Sequence, residues 1–258
     1  MSSLNYEFGG KGPRVVLLHP VGLDLTFLSP VASILRREFT VLTLDQRGHG
    51  ESRMRVPTST LEDYADDLHT LLHEIDFAPA AIVGFSFGGM VAMAFALKYP
   101  QATSSLAICA CTATQTAETR AIARKRGDDA RRNGMADVLE ATLDRWFTAP
   151  FRTAGKDKAV RERLLSDDPD GWAAAWYAMG DVDTLPRLSE IAAPAVCIAG
   201  EHDKSSPPPV VQRIADAIPG ARFAMLAGAP HMLFIEQPEE TARAISAFLR
   251  DIIPTQDR

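Results

Sequence analysis

The sequence predicts an α/β protein with a mostly parallel central sheet flanked by helices. Two observations support this prediction. Short apolar runs bounded by turn residues alternate with longer segments of helical period, and one long, wholly helical stretch interrupts the alternation. A length of 258 residues, of which 46% are hydrophobic, fits one large domain that contains an insertion.

The strands are predicted from short apolar runs, which are typical of strands buried in a parallel sheet. The first run is followed by the turn Gly-Gly-Lys-Gly-Pro, so we expect its strand to pair with the second one. Helices are predicted over residues 61–75 and 239–252, where apolar side chains recur at helical spacing. The predicted strands are residues 4–8, 15–18, 41–44, 80–83, 105–110, 195–199 and 221–226.

One charge-free stretch, residues 77–97, is long enough on count alone to span a membrane. Because Pro79, Gly84, Gly88 and Gly89 interrupt it, we interpret it as a strand, a tight turn and a helix. The first residues of the chain lack the apolar segment of a signal peptide. We therefore expect a cytoplasmic protein without a membrane partner.

The charge balance argues against nucleic-acid binding. The chain has 27 Lys and Arg against 33 Asp and Glu, a net charge of −6, and a sequence pI of about 5.5, without the basic character of nucleic-acid binders. Its three cysteines, Cys109, Cys111 and Cys197, have neither the number of a disulfide framework nor the spacing of a zinc site. The sequence leaves the oligomeric state open.

Residues 112–190 form the wholly helical stretch and are predicted to be a cap on a core of residues 1–111 and 191–258. The stretch contains all three tryptophans, Trp146, Trp172 and Trp176, which suits either an apolar lid or packing against the sheet. Its basic run at residues 124–126 stands among acidic residues, which indicates a solvated helix face.

The motif Gly-Phe-Ser-Phe-Gly at residues 84–88 lies between a predicted strand and a predicted helix. In this context a Gly-x-Ser-x-Gly turn presents a nucleophilic serine, because the glycines leave room for a strained backbone. We predict that Ser86 is the nucleophile, at the carboxyl edge of the sheet, where α/β sites open.

A serine hydroxyl needs a base, and the base needs an acid to orient it. In the chain order typical of this turn both follow the serine, which leaves only His202 and His231 among the six histidines. His231, between the last strand and the last helix, is the predicted base. Asp203, in the loop after the preceding strand, is the predicted acid, with Glu201 as the alternative.

Two backbone N–H groups are expected to stabilise the negative oxygen that forms during attack on a carbonyl. Phe87, directly after the nucleophile, is predicted to supply one of them. The other is expected from the loop His-Pro-Val-Gly at residues 19–22, and because Pro20 has no N–H, Val21 is the predicted donor. His19 is expected to shape this loop and to contact the substrate.

These motifs together resemble the α/β-hydrolase fold with a helical cap. The resemblance runs from residues 19–22, through a structural turn at residues 45–52 and the serine motif, to Asp203 and His231. It implies that the cap is inserted after the sixth strand of the sheet.

Segments 143–148 and 168–172, together with residues 84–90, resemble a narrower group, the 3-oxoadipate enol-lactonases. These bacterial enzymes of aromatic catabolism open an enol-lactone that bears a free carboxylate. For such a substrate, Arg145 beside Trp146 is the expected carboxylate partner, because a guanidinium matches the carboxylate fork. An ion pair between cap and core is the alternative role of Arg145.

The resulting hypothesis is hydrolysis of a small-molecule ester or lactone through an acyl-enzyme, which requires no metal or organic cofactor. The alternatives are another carboxylesterase, an amidase, a carbon–carbon bond hydrolase, a cofactor-free perhydrolase or haloperoxidase and, from a different class, a non-catalytic receptor for a small ligand. The serine at position 86 excludes dehalogenase and epoxide hydrolase chemistry, which needs a carboxylate nucleophile.

Overall fold

A computed structural model describes residues 4–52 and 59–252 of the chain. Within these residues seven strands form one sheet in the order β1-β3-β2-β4-β5-β6-β7. The strands are β1 (Tyr6–Gly9), β2 (Arg14–Leu18), β3 (Thr40–Leu44), β4 (Ala80–Phe85), β5 (Thr103–Cys109), β6 (Ala195–Gly200) and β7 (Arg222–Leu226). The predicted α/β class with a mostly parallel sheet is confirmed.

Strand β1 corrects one sequence prediction. It pairs antiparallel with β3, with Tyr6 opposite Leu44, and does not pair with β2. Both edges of β2 are occupied by parallel partners, β3 on one side and β4 on the other. The free edge of β3 therefore receives β1, and every other pairing in the sheet is parallel.

Helices cover the sheet where the apolar period predicted them. Helix α2 (Leu61–Glu74) begins at a capping box in which Thr60 and Asp63 exchange hydrogen bonds, and it buries the stripe that includes Tyr64 and Leu68. The helices outside the insertion are α1 (Ser29–Leu35), α2 (Leu61–Glu74), α3 (Phe87–Lys98), α9 (Pro208–Ala217), α10 (Leu233–Glu236) and α11 (Pro238–Ile252). None of the helices in the described part of the chain has the length and apolar character needed to cross a bilayer.

Between β5 and β6 the chain forms a helical insertion. Its helices are α4 (Ala117–Asn133), α5 (Met135–Trp146), α6 (Ala149–Thr153), α7 (Lys158–Leu165) and α8 (Pro169–Gly180). Among the described residues, β1 to β5 precede the insertion along the chain, so it follows the fifth strand and not the sixth. The expected position after a sixth strand is therefore wrong.

The insertion packs closely on the loops at the carboxyl edge of the sheet. A side chain at Gly171 would collide with the carbonyl oxygen of Gly48, and one at Gly22 would lie 2.6 Å from the ring of Trp172. Arg163 of α7 forms a half-buried ion pair with Asp24, at 2.9 Å between Nε and Oδ2. These contacts hold α7 and α8 against the loops that follow β2 and β3.

Candidate active site

Ser86 lies in the turn between β4 and α3 with a strained backbone, φ 52° and ψ −114°. The turn closes tightly, because a Cβ at Gly84 would collide with the carbonyl of Gly88. A Cβ at Gly88 would collide in turn with the carbonyl of Leu18 on β2. The two glycines of the motif thus allow a turn that places the serine at the carboxyl end of the central strand.

Three side chains from separate loops meet at this turn. The distance from His231 Nε2 to Ser86 Oγ is 2.9 Å, and that from His231 Nδ1 to Asp203 Oδ2 is 2.8 Å. All three residues are at most 5% exposed. Parallel strands bring these loops together, since the serine follows β4, the aspartate follows β6 and the histidine follows β7.

The environment of Asp203 keeps its carboxyl ionised. Burial alone would raise its pKa, but the charge of His231 and hydrogen bonds from His231 and from the backbone of Ser206 and Ser205 outweigh burial and lower it. An ionised Asp203 accepts the Nδ1–H of His231. Nε2 of His231 is then the lone-pair nitrogen, which can accept the proton of the Ser86 hydroxyl.

The two alternative residues do not join this arrangement. Glu201 is exposed, and its carboxylate accepts the backbone N–H of Gly228 at 2.7 Å. His202 is exposed as well, and its backbone N–H donates to the carbonyl of Ala229 at 2.8 Å. Both residues hold the loop that carries His231, while their side chains lie outside the triad.

Two backbone N–H groups beside the serine are free to bind an oxyanion. Within the described part of the chain, neither the N–H of Val21 nor that of Phe87 has an intramolecular acceptor. Phe87 is the first residue of α3, where helix geometry leaves such groups unpaired, and Val21 lines the same cavity as Ser86. These are the residues predicted as oxyanion donors from the sequence.

His19 stabilises the loop of residues 19–22, which contains Val21. It is fully buried, its Nε2 accepts the N–H of Gln46 at 3.0 Å, and its Nδ1 donates to the carbonyl of Pro20 at 2.7 Å. Burial lowers its pKa, so the ring stays neutral in this tautomer. His19 is not among the residues that line the cavity, so its position supports the expected shaping of the oxyanion loop, and its contact with substrate stays a prediction.

The turn at residues 45–52 is structural, as the sequence indicates. The carboxylate of Asp45 accepts the N–H groups of Leu25 and Glu51 and the side-chain amide of Asn5, at distances of 2.8 to 2.9 Å. None of the turn residues lines the cavity around Ser86. Asp45 therefore joins this turn to the segment after the oxyanion loop.

Ser86 and His231 line a cavity of about 500 Å³ between the core and the insertion. Arg145 and Trp146 line it, as expected for substrate-binding residues, and Trp146 is buried whereas Arg145 is exposed. The other lining residues are Val21, Met90, Thr112, Thr114, Gln115, Thr116, Thr119, Ile122, Ala123, Arg126, Trp176, Met179, Ser205, Ser206, Val210 and Arg213.

Arg126 and Arg213 also line the cavity and were not predicted to do so from the sequence, whereas Trp176 was expected either in an apolar lid or against the sheet. Arg126 belongs to a run interpreted as a solvated face, yet its spacing from Ala123 and Ala130, both buried, places it on the inner face of α4. That i, i+3 and i+7 spacing is visible in the sequence, but it marks the inner face only once Ala123 and Ala130 are known to be buried. Arg213 lies on α9 of the core, and its sequence neighbourhood contains no comparable signal.

No group of three or more His, Cys, Asp or Glu side chains suited to a metal ion is present among residues 4–52 and 59–252. The three cysteines are free and buried.

Comparison with known proteins gives one matching family model, described as the alpha/beta hydrolase family, over residues 15–244. The chain is 28% identical to 3-oxoadipate enol-lactonase 1 of Acinetobacter baylyi, over 97% of this chain and 94% of that protein.

Two solved structures are similar over nearly the whole chain. A thermophilic esterase from Thermogutta terrifontis with malate bound has a TM-score of 0.91 at 31% identity, over 96% of this chain and 93% of that one. The enol-lactonase from Burkholderia xenovorans LB400 has a TM-score of 0.89 at 30% identity, over 95% and 96%.

Proposed function

The chain belongs to the alpha/beta hydrolase family, and from that premise we propose that it is a serine hydrolase that opens ester or lactone bonds. The observation that carries this proposal is the hydrogen-bonded series Asp203–His231–Ser86, whose serine lines a cavity large enough for a small substrate. The finer proposal is that the substrate is 3-oxoadipate enol-lactone, an intermediate of aromatic catabolism. It is supported by the similarity to two enol-lactonases.

Acylation begins with attack of Ser86 Oγ on the carbonyl carbon of the substrate. His231 Nε2 takes the hydroxyl proton as the bond forms, and Asp203 stabilises the resulting imidazolium through Nδ1–H. The carbonyl oxygen becomes an oxyanion, which the N–H groups of Val21 and Phe87 stabilise. When the carbon–oxygen bond of the lactone breaks, the leaving oxygen takes the proton from His231 and stays tethered to the acyl group.

Deacylation repeats these steps with water as the nucleophile. His231 Nε2 accepts a proton from the water as its oxygen attacks the acyl carbon, and the same two N–H groups stabilise the second oxyanion. Collapse of this intermediate breaks the bond to Ser86 Oγ, which regains its proton from His231. The product is a carboxylate with the alcohol or enol still attached, and one proton is released to solvent.

We also propose that residues 112–190 act as a cap on a core made of residues 1–111 and 191–258. The cavity supports this division, because the core contributes Ser86 and His231 while the insertion contributes Trp146 and Trp176.

The test is hydrolysis of 3-oxoadipate enol-lactone beside 4-nitrophenyl acetate, with the wild type and Ser86→Ala. We expect lactone opening with kcat/KM in the range of about 10⁴ to 10⁸ M⁻¹s⁻¹ that is usual for true substrates. Ser86→Ala should lose several orders of magnitude on both substrates while remaining folded. Near-normal rates in that variant would reject the serine mechanism.

A second outcome separates the two levels of the proposal. Slow lactone opening beside serine-dependent cleavage of the nitrophenyl ester would reject the enol-lactone and retain the serine hydrolase. Absence of turnover on either substrate, with the fold intact, would favour the non-catalytic receptor.

A further inference from the structure

Three arginines from three different helices line the cavity that contains Ser86. Arg126 belongs to α4, Arg145 to α5 and Arg213 to α9. We call these residues the arginine cluster. Two of them belong to the insertion and the third to the core, so the cluster spans the cavity.

The arginine cluster differs from the other described arginines in its partners. Within residues 4–52 and 59–252, every arginine apart from the cluster and the exposed Arg37 lies within 4.0 Å of a carboxylate oxygen. Of the three, only Arg145 has a side-chain hydrogen bond, a long one of 3.5 Å to the carbonyl of Lys204. No Asp or Glu of the described chain lines the cavity. The cluster is therefore a concentration of positive charge without a counter-ion among residues 4–52 and 59–252.

Arg126 is the least exposed member of the arginine cluster. Its side chain is half-buried, and its guanidinium carbon lies 4.8 Å from the centre of the Trp176 ring. Burial, reinforced by the charge of Arg145, lowers its pKa to about 10, so it still carries its charge at neutral pH. A half-buried cation next to a second cation is unfavourable by itself, and an anion bound between them would offset both effects.

We propose that the arginine cluster binds a carboxylate of the substrate, with Arg126 as the main contact. The site then takes esters or lactones whose acyl part bears a free carboxylate away from the bond that is cleaved. This inference rests on the proposed hydrolase function and names its specificity residue. It moves the carboxylate contact expected of Arg145 to Arg126, because Trp176 holds that guanidinium in place whereas Arg145 is exposed.

The chemistry adds a consequence for the product. Hydrolysis turns the acyl carbon at Ser86 into a second carboxylate, so a substrate with one free carboxylate leaves as a dicarboxylate. One carboxylate of the product would lie at the N–H groups of Val21 and Phe87 and the other at the arginine cluster. We therefore expect linear dicarboxylates to inhibit the enzyme more strongly than their monoesters.

The test compares mono-4-nitrophenyl adipate, which is anionic, with methyl 4-nitrophenyl adipate, which is neutral and of nearly equal size. The wild type should prefer the anionic ester. Arg126→Met should lower kcat/KM for that ester about 30-fold, the effect of losing one charge-assisted contact, and lower it far less for the neutral ester. Arg126→Lys should restore part of the loss. Arg37→Met removes an exposed charge that is not part of the cavity lining, and it should change the rate of neither ester.

Inhibition by adipate, measured against monomethyl adipate, is the second measurement. Adipate should inhibit the wild type more strongly than its monoester, and Arg126→Met should remove that difference. The inference would be overturned if Arg126→Met lost activity equally on both esters, or if the wild type showed no preference for the anionic ester. In either case, ester cleavage that depends on Ser86 would leave the proposed function standing. If the wild type cleaves neither ester, the proposed function fails. A rise in melting temperature with adipate that Arg126→Met abolishes would then still support the anion site.

Discussion

The sheet side and the insertion side of the cavity differ in how their polar side chains are partnered. On the sheet side, Ser86, His231 and Asp203 form a closed series of hydrogen bonds, and Asp203 also receives two backbone N–H groups. On the insertion side, Arg126 and Arg145 face the cavity without a carboxylate partner in the described chain.

This difference separates two tasks within one site. A fully partnered group is fixed before the substrate arrives, which suits chemistry on any acyl group that reaches it. Unpaired cations act on one feature of the substrate, its charge. Changes on the sheet side should therefore reduce turnover of all esters alike, whereas changes at Arg126 should depend on substrate charge.

The largest effect is expected from Asp203→Asn. An amide in that position presents a donor to His231 and favours the wrong tautomer, so kcat should fall about 10⁴-fold for the anionic and the neutral adipate ester alike. Glu201→Gln is the matched control, since the carboxylate of Glu201 accepts the N–H of Gly228 and does not join the triad, and it should retain most of the activity. If Glu201→Gln loses activity and Asp203→Asn does not, the acid is Glu201.

A smaller effect is expected where the two sides are joined. Glu236 of α10 accepts both the N–H and the hydroxyl of Thr148 at the start of α6, at 2.7 and 2.8 Å. The N–H of Met232, next to His231, donates to the carbonyl of Trp146 at 3.1 Å. The loop that carries His231 is thus held in place by contacts with the insertion.

Glu236→Gln should weaken this junction and lower kcat/KM about tenfold on both adipate esters, the equivalent of one charged hydrogen bond. The control is Glu239→Gln, which removes an exposed carboxylate three residues after Glu236. This variant should behave as the wild type. A loss confined to the anionic ester would show that Glu236 acts on substrate charge and that the two sides are not separate in function.

The smallest effect concerns acid stability on the sheet side. Burial lowers the pKa of His49 to about 3, assisted by the neighbouring His19, whose pKa burial also lowers. Both rings are neutral when folded but take up protons when unfolded, below the ordinary pKa of about 6.5. The free energy of unfolding should therefore fall as the pH drops below about 6.5, by up to about 1.4 kcal/mol per pH unit for each histidine.

His49→Phe tests this expectation, because phenylalanine keeps a ring beside Phe87 and removes one titrating group. Urea midpoints at about pH 7.5 and about pH 5, on either side of the ordinary histidine pKa, should differ less in the variant than in the wild type. An equal decrease in both proteins would mean that His49 does not titrate on unfolding.

The two sides also differ in how well the sequence predicts them. The parallel strands were predicted from short apolar runs, and the serine turn from two glycines that flank the serine at fixed spacing. The predicted positions agree with the observed ones within a few residues. The partner of β1 was not predictable, because it depends on which strand edge remains free after the sheet has formed.

On the insertion side, the helices were predictable but their contacts were not. Arg126 stands in a basic run with acidic neighbours, and only the packing of α4 against α8 decides which member of the run faces the cavity. His19 is a second case, since this polar residue of a site loop is buried and its ring bonds the backbone of Pro20 and Gln46. Long-range packing settles both cases, and a single sequence does not encode it in a local pattern.

The central claim, that His231 activates Ser86 at the base of the cavity, is tested most directly by covalent labelling with a fluorophosphonate. We expect the intact mass of the wild type to rise by one adduct, located at Ser86 by peptide mapping, with no adduct in Ser86→Ala and much slower labelling in His231→Ala. An adduct at another residue, or a folded wild type that stays unlabelled, would contradict the claim.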